Sequence, residues 1–215
     1  MPLCGQYKLA GVDVWVWNIT ETVDELLGLV PESCASYALR VFKSDKRCSE
    51  WLAVRAILAS EFGDSVAIVY DDAGKPMLDG VCGSVTISHT DGYAVVAYSR
   101  DVDVGVDVER VSRNVVALAG RFMAAEILDK AAPDKRNFVA LVHWCAKEAL
   151  FKIVGNLGGN FKDNILVGAF EPQEKGSVQL SLFGVDSAAG ANFVADYSVV
   201  DGLLFVLCRG LNNRS

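Results

Sequence analysis

Between Val102 and Glu109 valine occupies positions 102, 104, 106 and 108, while Asp103, Gly105, Asp107 and Glu109 fill the places between. Side chains of a strand alternate between faces, so this run predicts a strand with an apolar face and an acidic one. From Asn137 to Val154 the period changes to that of a helix, closed by Gly155. Trp144, Glu148 and Lys152 recur every four residues and share one stripe of that helix. Phe138, Val142, Cys145, Ala149 and Ile153 form the neighbouring apolar stripe. A second helix, capped by Ser44 or Asp45, runs to about Phe62, with Trp51, Val54 and Leu58 on one face.

Turn residues mark the remaining elements. Asp91-Gly92 joins strands 84–88 and 93–99, and Asp201-Gly202 joins strands 193–200 and 203–208. Further strands are expected near 165–170 and 178–183, and residues 155–163, with Gly158-Gly159, read as a loop. A boundary near Ser99-Arg100-Asp101 divides the chain into an N-terminal half, 1–101, and a C-terminal half, 102–215.

Composition narrows the function. The 215 residues are 52% hydrophobic and their mean hydropathy is +0.28, which is high for a soluble protein. Yet no apolar run reaches the roughly 18–20 residues that a membrane span needs. The N-terminus has no basic, apolar and small-residue series of the kind a signal peptide carries. The six cysteines lack metal-like pairs and fit reduced thiols of a cytoplasmic protein. A net charge of −7 argues against nonspecific nucleic-acid binding.

The acidic strand and the helix carry the candidate chemistry. Asp107 and Glu109 project the same way, roughly 6.5 Å apart along the backbone. Two carboxylates so placed can converge on a hard cation such as Mg2+, which takes oxygen ligands and completes its shell with phosphates. Each feature alone has an ordinary reading. The strand could carry a wet acidic face, and Glu148 with Lys152 could be an exposed ion pair worth about 0.3–0.5 kcal/mol. His143 and Cys145 read as helix-packing residues.

Together, Gly105-Val106-Asp107-Val108-Glu109 and Trp144-Cys145-Ala146-Lys147-Glu148-Ala149-Leu150-Phe151-Lys152 resemble the signature pair of 4'-phosphopantetheinyl transferases of the longer, surfactin-synthetase-activating type. Gly74-Lys75-Pro76 and Ile87-Ser88-His89-Thr90 are similar to two further family segments, in the same order. The resemblance implies transfer of the phosphopantetheine arm of coenzyme A to a serine of an apo acyl or peptidyl carrier protein. It implies that Asp107, Glu109 and Glu148 hold Mg2+, with Mn2+ as a substitute, and that Lys152 contacts phosphate oxygens. Glu148 or a metal-held water would take the serine proton. Lys75, Ser88 and His89 would bind coenzyme A, the co-substrate, and Lys46 or Arg47 would meet its 3'-phosphate.

The same resemblance implies an α+β fold of two similar α/β subdomains related by a pseudo-twofold axis, coenzyme A between them, in a monomer. Gly11-Val12-Asp13-Val14 repeats the start of the acidic strand, but Trp15 replaces its glutamate, so no second metal site is expected there. Acyl carriers are usually acidic, so the chain's negative charge argues against broad electrostatic steering of that partner. Two other readings use the same residues. One is a metal-dependent phosphohydrolase acting on coenzyme A, and the other is a noncatalytic module that binds coenzyme A or a carrier.

Overall fold

The computed structural model describes residues 3–9, 11–155, 161–183 and 192–210. It divides into two compact units, residues 1–101 and 102–215.

The first unit opens with strands β1 (Leu3–Leu9) and β2 (Val12–Asn18), turned at Gly11. Helix α1 (Val23–Leu27) follows, its start closed by a capping box: Thr22 Oγ1 accepts from the Glu25 amide while the Glu25 carboxylate accepts from the Thr22 amide. Helices α2 (Glu32–Val41) and α3 (Asp45–Phe62) come next, then the short pair β3 (Ile68–Tyr70) and β4 (Pro76–Leu78). The unit ends in the hairpin β5 (Ser84–Thr90) and β6 (Tyr93–Ser99). The strand order β1-β2-β6-β5 is antiparallel throughout. Helix α3 buries Leu52, Ala53, Ile57 and Leu58 against Trp15, Trp17, Val85 and Val96 of this sheet. Ser44 stands at the α3 N-cap, although its side chain makes no capping hydrogen bond.

The second unit begins with β7 (Val104–Arg110), followed by a 3-10 turn at Val116–Arg121 and helix α4 (Ala125–Lys130). Helix α5 (Arg136–Val154) and the short α6 (Phe161–Asn164) lead to β8 (Ile165–Val167), β9 (Lys175–Leu182), β10 (Asn192–Val200) and β11 (Leu203–Gly210). The sheet order is β7-β11-β10-β9-β8, again antiparallel. Asp201 and Gly202 both take positive φ, 51° and 75°, which closes the tight β10–β11 hairpin. The apolar stripe of α5 forms the centre of the core, with Val142, Cys145 and Ala149 fully buried against Leu204, Val206 and Cys208.

Antiparallel sheets packed by helices make each unit α+β. Two local expectations need correction. Phe161–Asn164 is a helical turn rather than loop, and β8 ends at Val167, three residues before the expected end. The Gly158-Gly159 segment lies outside the described residues. No helix among the described residues is long and apolar enough to cross a membrane. Cys34, Cys48, Cys82, Cys145 and Cys208 are free thiols.

Candidate active site

Gly105 decides how β7 meets α5. A Cβ built on it would lie 1.8 Å from the Ala149 carbonyl oxygen and 3.1 Å from Ile153 Cγ1. Only a residue without a side chain allows the helix backbone to come this close. The helix therefore covers the acidic face of the strand. Asp107 is only 7% exposed, and the valines at 104, 106 and 108 are buried on the other face. A wet acidic face is thus not what β7 carries.

Closing α5 onto that face brings the motif residues together. Lys152 Nζ donates to Asp107 Oδ1 at 3.0 Å and to the Val106 carbonyl at 2.7 Å. Glu148 lies one turn before Lys152 and is half-buried. Burial raises its carboxyl above the usual range, the nearby Asp107 charge adds to that, and Lys152 and Arg113 act in the opposite direction. Glu109 is ion-paired with Arg113, whose guanidinium carbon stands 5.8 Å from the centre of the Trp144 ring. Trp144 in turn meets Phe122 edge-on at 5.3 Å.

Three further residues border this cluster: Arg113 and Lys147, which went unread in the sequence, and Cys145, read there as a packing residue and fully buried. Arg113 is the first. It lies four residues from Glu109 in a turn, where spacing does not announce a contact. The second is Cys145, whose buried thiol is pushed well above its ordinary range, first by burial and then by the charge and hydrogen bond of Asp107. The third is Lys147, which points away from the acids. Its Nζ donates to the carbonyls of Phe161 and Lys162 at 3.3 and 2.8 Å, and burial lowers its pKa to about 8. His143 is a packing residue, buried with its ring 5.8 Å from that of Phe170.

The donor set bears on which cation would fit. Among the described residues, no three acidic, histidine or cysteine side chains converge as they stand on a common metal position. Lys152 and Arg113 lie against Asp107 and Glu109, so a metal would compete with two cations for these oxygens. Asp107, Glu109 and Glu148 offer only hard oxygen donors. That chemistry fits Mg2+ or Mn2+ and not a soft metal.

The first unit gathers a second group around the end of β5. Glu50, on α3, is 5% exposed; its Oε2 accepts from Arg47 Nη1 at 3.2 Å and lies 3.6 Å from His89 Nδ1. Lys46 donates to Asp91 Oδ1 at 2.8 Å, and this bond raises its pKa. Lys46, Arg47 and His89 are therefore neighbours, tied together by Glu50, which the sequence did not single out, and by Asp91, read there only as a turn residue. Ser88 is buried beside His89 on β5. Lys75 sits in the β3–β4 turn, where the Asp71 carboxylate accepts from the amides of Ala73 and Lys75 at 2.9 and 2.8 Å. Asp13, in the repeat of the acidic motif, is ion-paired with Lys8 at 3.4 Å.

Residues 103–199 match the family model of the 4'-phosphopantetheinyl transferase superfamily. The matched stretch includes Asp107, Glu109, Glu148 and Lys152 and leaves out the α3 and β5 residues. The superfamily uses coenzyme A as a substrate, typically with a divalent metal, and acts on carrier proteins. No curated protein matches the chain.

Proposed function

We propose that the protein is a Mg2+-dependent 4'-phosphopantetheinyl transferase of the surfactin-synthetase-activating type, working as a monomer. It moves phosphopantetheine from coenzyme A to the serine of an apo acyl or peptidyl carrier protein. The observation that carries this reading is the approach of α5 to β7 at Gly105, which sets Glu148 and Lys152 beside Asp107 within the matched domain.

Asp107, Glu109 and Glu148 would hold Mg2+ or Mn2+. Bound there, the ion would offset charge on the coenzyme A pyrophosphate and on the departing 3',5'-ADP. Lys152 is half-buried and already directed at oxygen, so it serves as a point charge for phosphate oxygens. The serine Oγ attacks the phosphorus bearing the pantetheine arm, the bond to 3',5'-ADP breaks, and the serine proton passes to a base. That base is Glu148, whose proton affinity burial and Asp107 raise, or a metal-held water. Arg47 or Lys46 with His89 would receive the 3'-phosphate, Ser88 would add a hydrogen bond, and Lys75 would contact the nucleotide end.

Intact-mass spectrometry of apo-carriers incubated with the protein, coenzyme A and Mg2+ tests the reading. The expected result is a gain of one phosphopantetheine that EDTA abolishes. Cleavage of coenzyme A with no carrier labelled would replace the transferase by a phosphohydrolase. Coenzyme A binding without turnover on any carrier would leave a binding module.

A further inference from the structure

A cavity of about 440 Å3 lies in the first unit, between α2, α3 and the segment leading into β3. Arg55, Trp51, Tyr37, Tyr70, Leu58 and Cys34 are among the residues that line it. Its size falls in the ordinary range for small-ligand sites. Tyr37 and Tyr70 stand at 42% and 57% exposure, so its aromatic wall reaches solvent.

Its charge comes from Arg55. The Arg55 guanidinium lies 3.8 Å from the centre of the Trp51 ring, and the Tyr70 hydroxyl is among the groups that favour its charge. Tyr37 stacks on the same indole at 5.3 Å with an interplanar angle of 24°. Arg47, Arg113 and Arg209 each pair with a carboxylate, at Glu50, Glu109 and Asp196. No carboxylate lies within ion-pair distance of Arg55 among the described residues, and burial is the main influence on its pKa, lowering it. A largely desolvated cation without a counter-charge is costly unless something supplies one. Stacking on Trp51 compensates in part, yet it leaves the edge of the guanidinium, where its hydrogen-bond donors lie, available.

The geometry points to a binding site for a small aromatic monocarboxylate in this cavity, its carboxylate on Arg55 and its ring along Trp51, Tyr37 and Tyr70. A carboxylate matches the planar fork of one guanidinium in shape and in charge. A phosphate carries close to two charges and would be left under-neutralised by a single arginine. The flat Tyr37–Trp51 wall favours a ring over an alkyl chain. This site is independent of the transferase reading, since none of its residues belongs to the groups assigned to coenzyme A or metal.

2-Naphthoate is a suitable probe, followed by titration calorimetry and by the indole N–H signal of Trp51 in NMR spectra of the full chain. Saturable binding that shifts the Trp51 signal is expected. Neutral 2-naphthalenemethanol should bind at least about tenfold more weakly, and Arg55→Met should weaken naphthoate by a similar factor. Arg55→Lys, which keeps the charge but loses the fork, should fall between. Comparing the charged and neutral probes on the unaltered protein keeps the test decisive even where Arg55→Met does not fold. Equal binding of both probes, competition by inorganic phosphate in preference to naphthoate, or no Trp51 shift at saturation would overturn the assignment.

Discussion

Gly105 and Ala149 touch through their backbones: a methyl group on Gly105 would sit almost on the Ala149 carbonyl oxygen. The position cannot relax cheaply, because the obstacle is helix backbone and not the end of a flexible side chain. Gly105→Ala should therefore push α5 from β7, with a destabilisation of about 1–3 kcal/mol, the usual range for overpacking. It should also separate Asp107 from Lys152 and lower transfer beyond what the stability loss explains. Urea unfolding and activity measured together test this, and an unchanged midpoint would mean the contact is looser than described.

Substitutions at the acids should act on turnover and leave the fold largely intact. Glu148 is half-buried and destabilised as an anion, so Glu148→Gln should keep or slightly raise the melting temperature. Carrier labelling should nevertheless fall by at least about 100-fold, as expected for loss of a general base. Full activity in the glutamine variant would remove Glu148 from the mechanism.

Glu50 acts through its neighbours. It holds Arg47 and lies beside His89, so Glu50→Gln should loosen both without touching the acids of the second unit. The expected signature is a KM for coenzyme A raised about tenfold, the scale of one charge-assisted hydrogen bond, with kcat much less affected. If kcat fell and KM stayed constant, Glu50 would not be organising the nucleotide end.

His143 predicts a pH dependence of stability. Burial lowers its pKa from 6.5 to about 4, with the nearby Lys147 adding to the effect. Below pH 6.5 the unfolded chain takes up a proton that the folded chain resists, so stability falls as pH drops from 6.5 toward 4. The full effect is roughly 3 kcal/mol by the usual conversion of pKa shift to free energy. His143→Gln should flatten this part of the curve. Parallel curves for the two proteins would show that His143 is not held neutral.

Much of the second unit was legible because its signals are local. Valine alternation marked β7, a helical period closed by Gly155 marked α5, and Asp201-Gly202 marked the last hairpin. The side of β7 that α5 covers was not legible. It follows from a backbone contact between residues 44 positions apart, of which the sequence shows only a glycine. Glu50 was hidden for a related reason: on α3 it looks like one more surface acid, and only the end of β5 buries it beside His89. Arg113 and Asp91 were missed because ion pairing from turns has no fixed spacing. Types and elements can be read along the chain, whereas the partners of buried charges depend on which surfaces meet.

Strand order also bears on biosynthesis. β7, the first strand of its unit, pairs with β11, the last, and Asp107 stands opposite Val206 while Glu109 stands opposite Leu204. A ribosome must therefore make about a hundred residues after Asp107 before that strand gains its neighbour, a topology of high contact order that folds slowly. A nascent chain halted before Leu203 would contain every residue of the acidic cluster and still lack the strand that aligns it. Competence of the cluster should therefore appear only once β11 has been made.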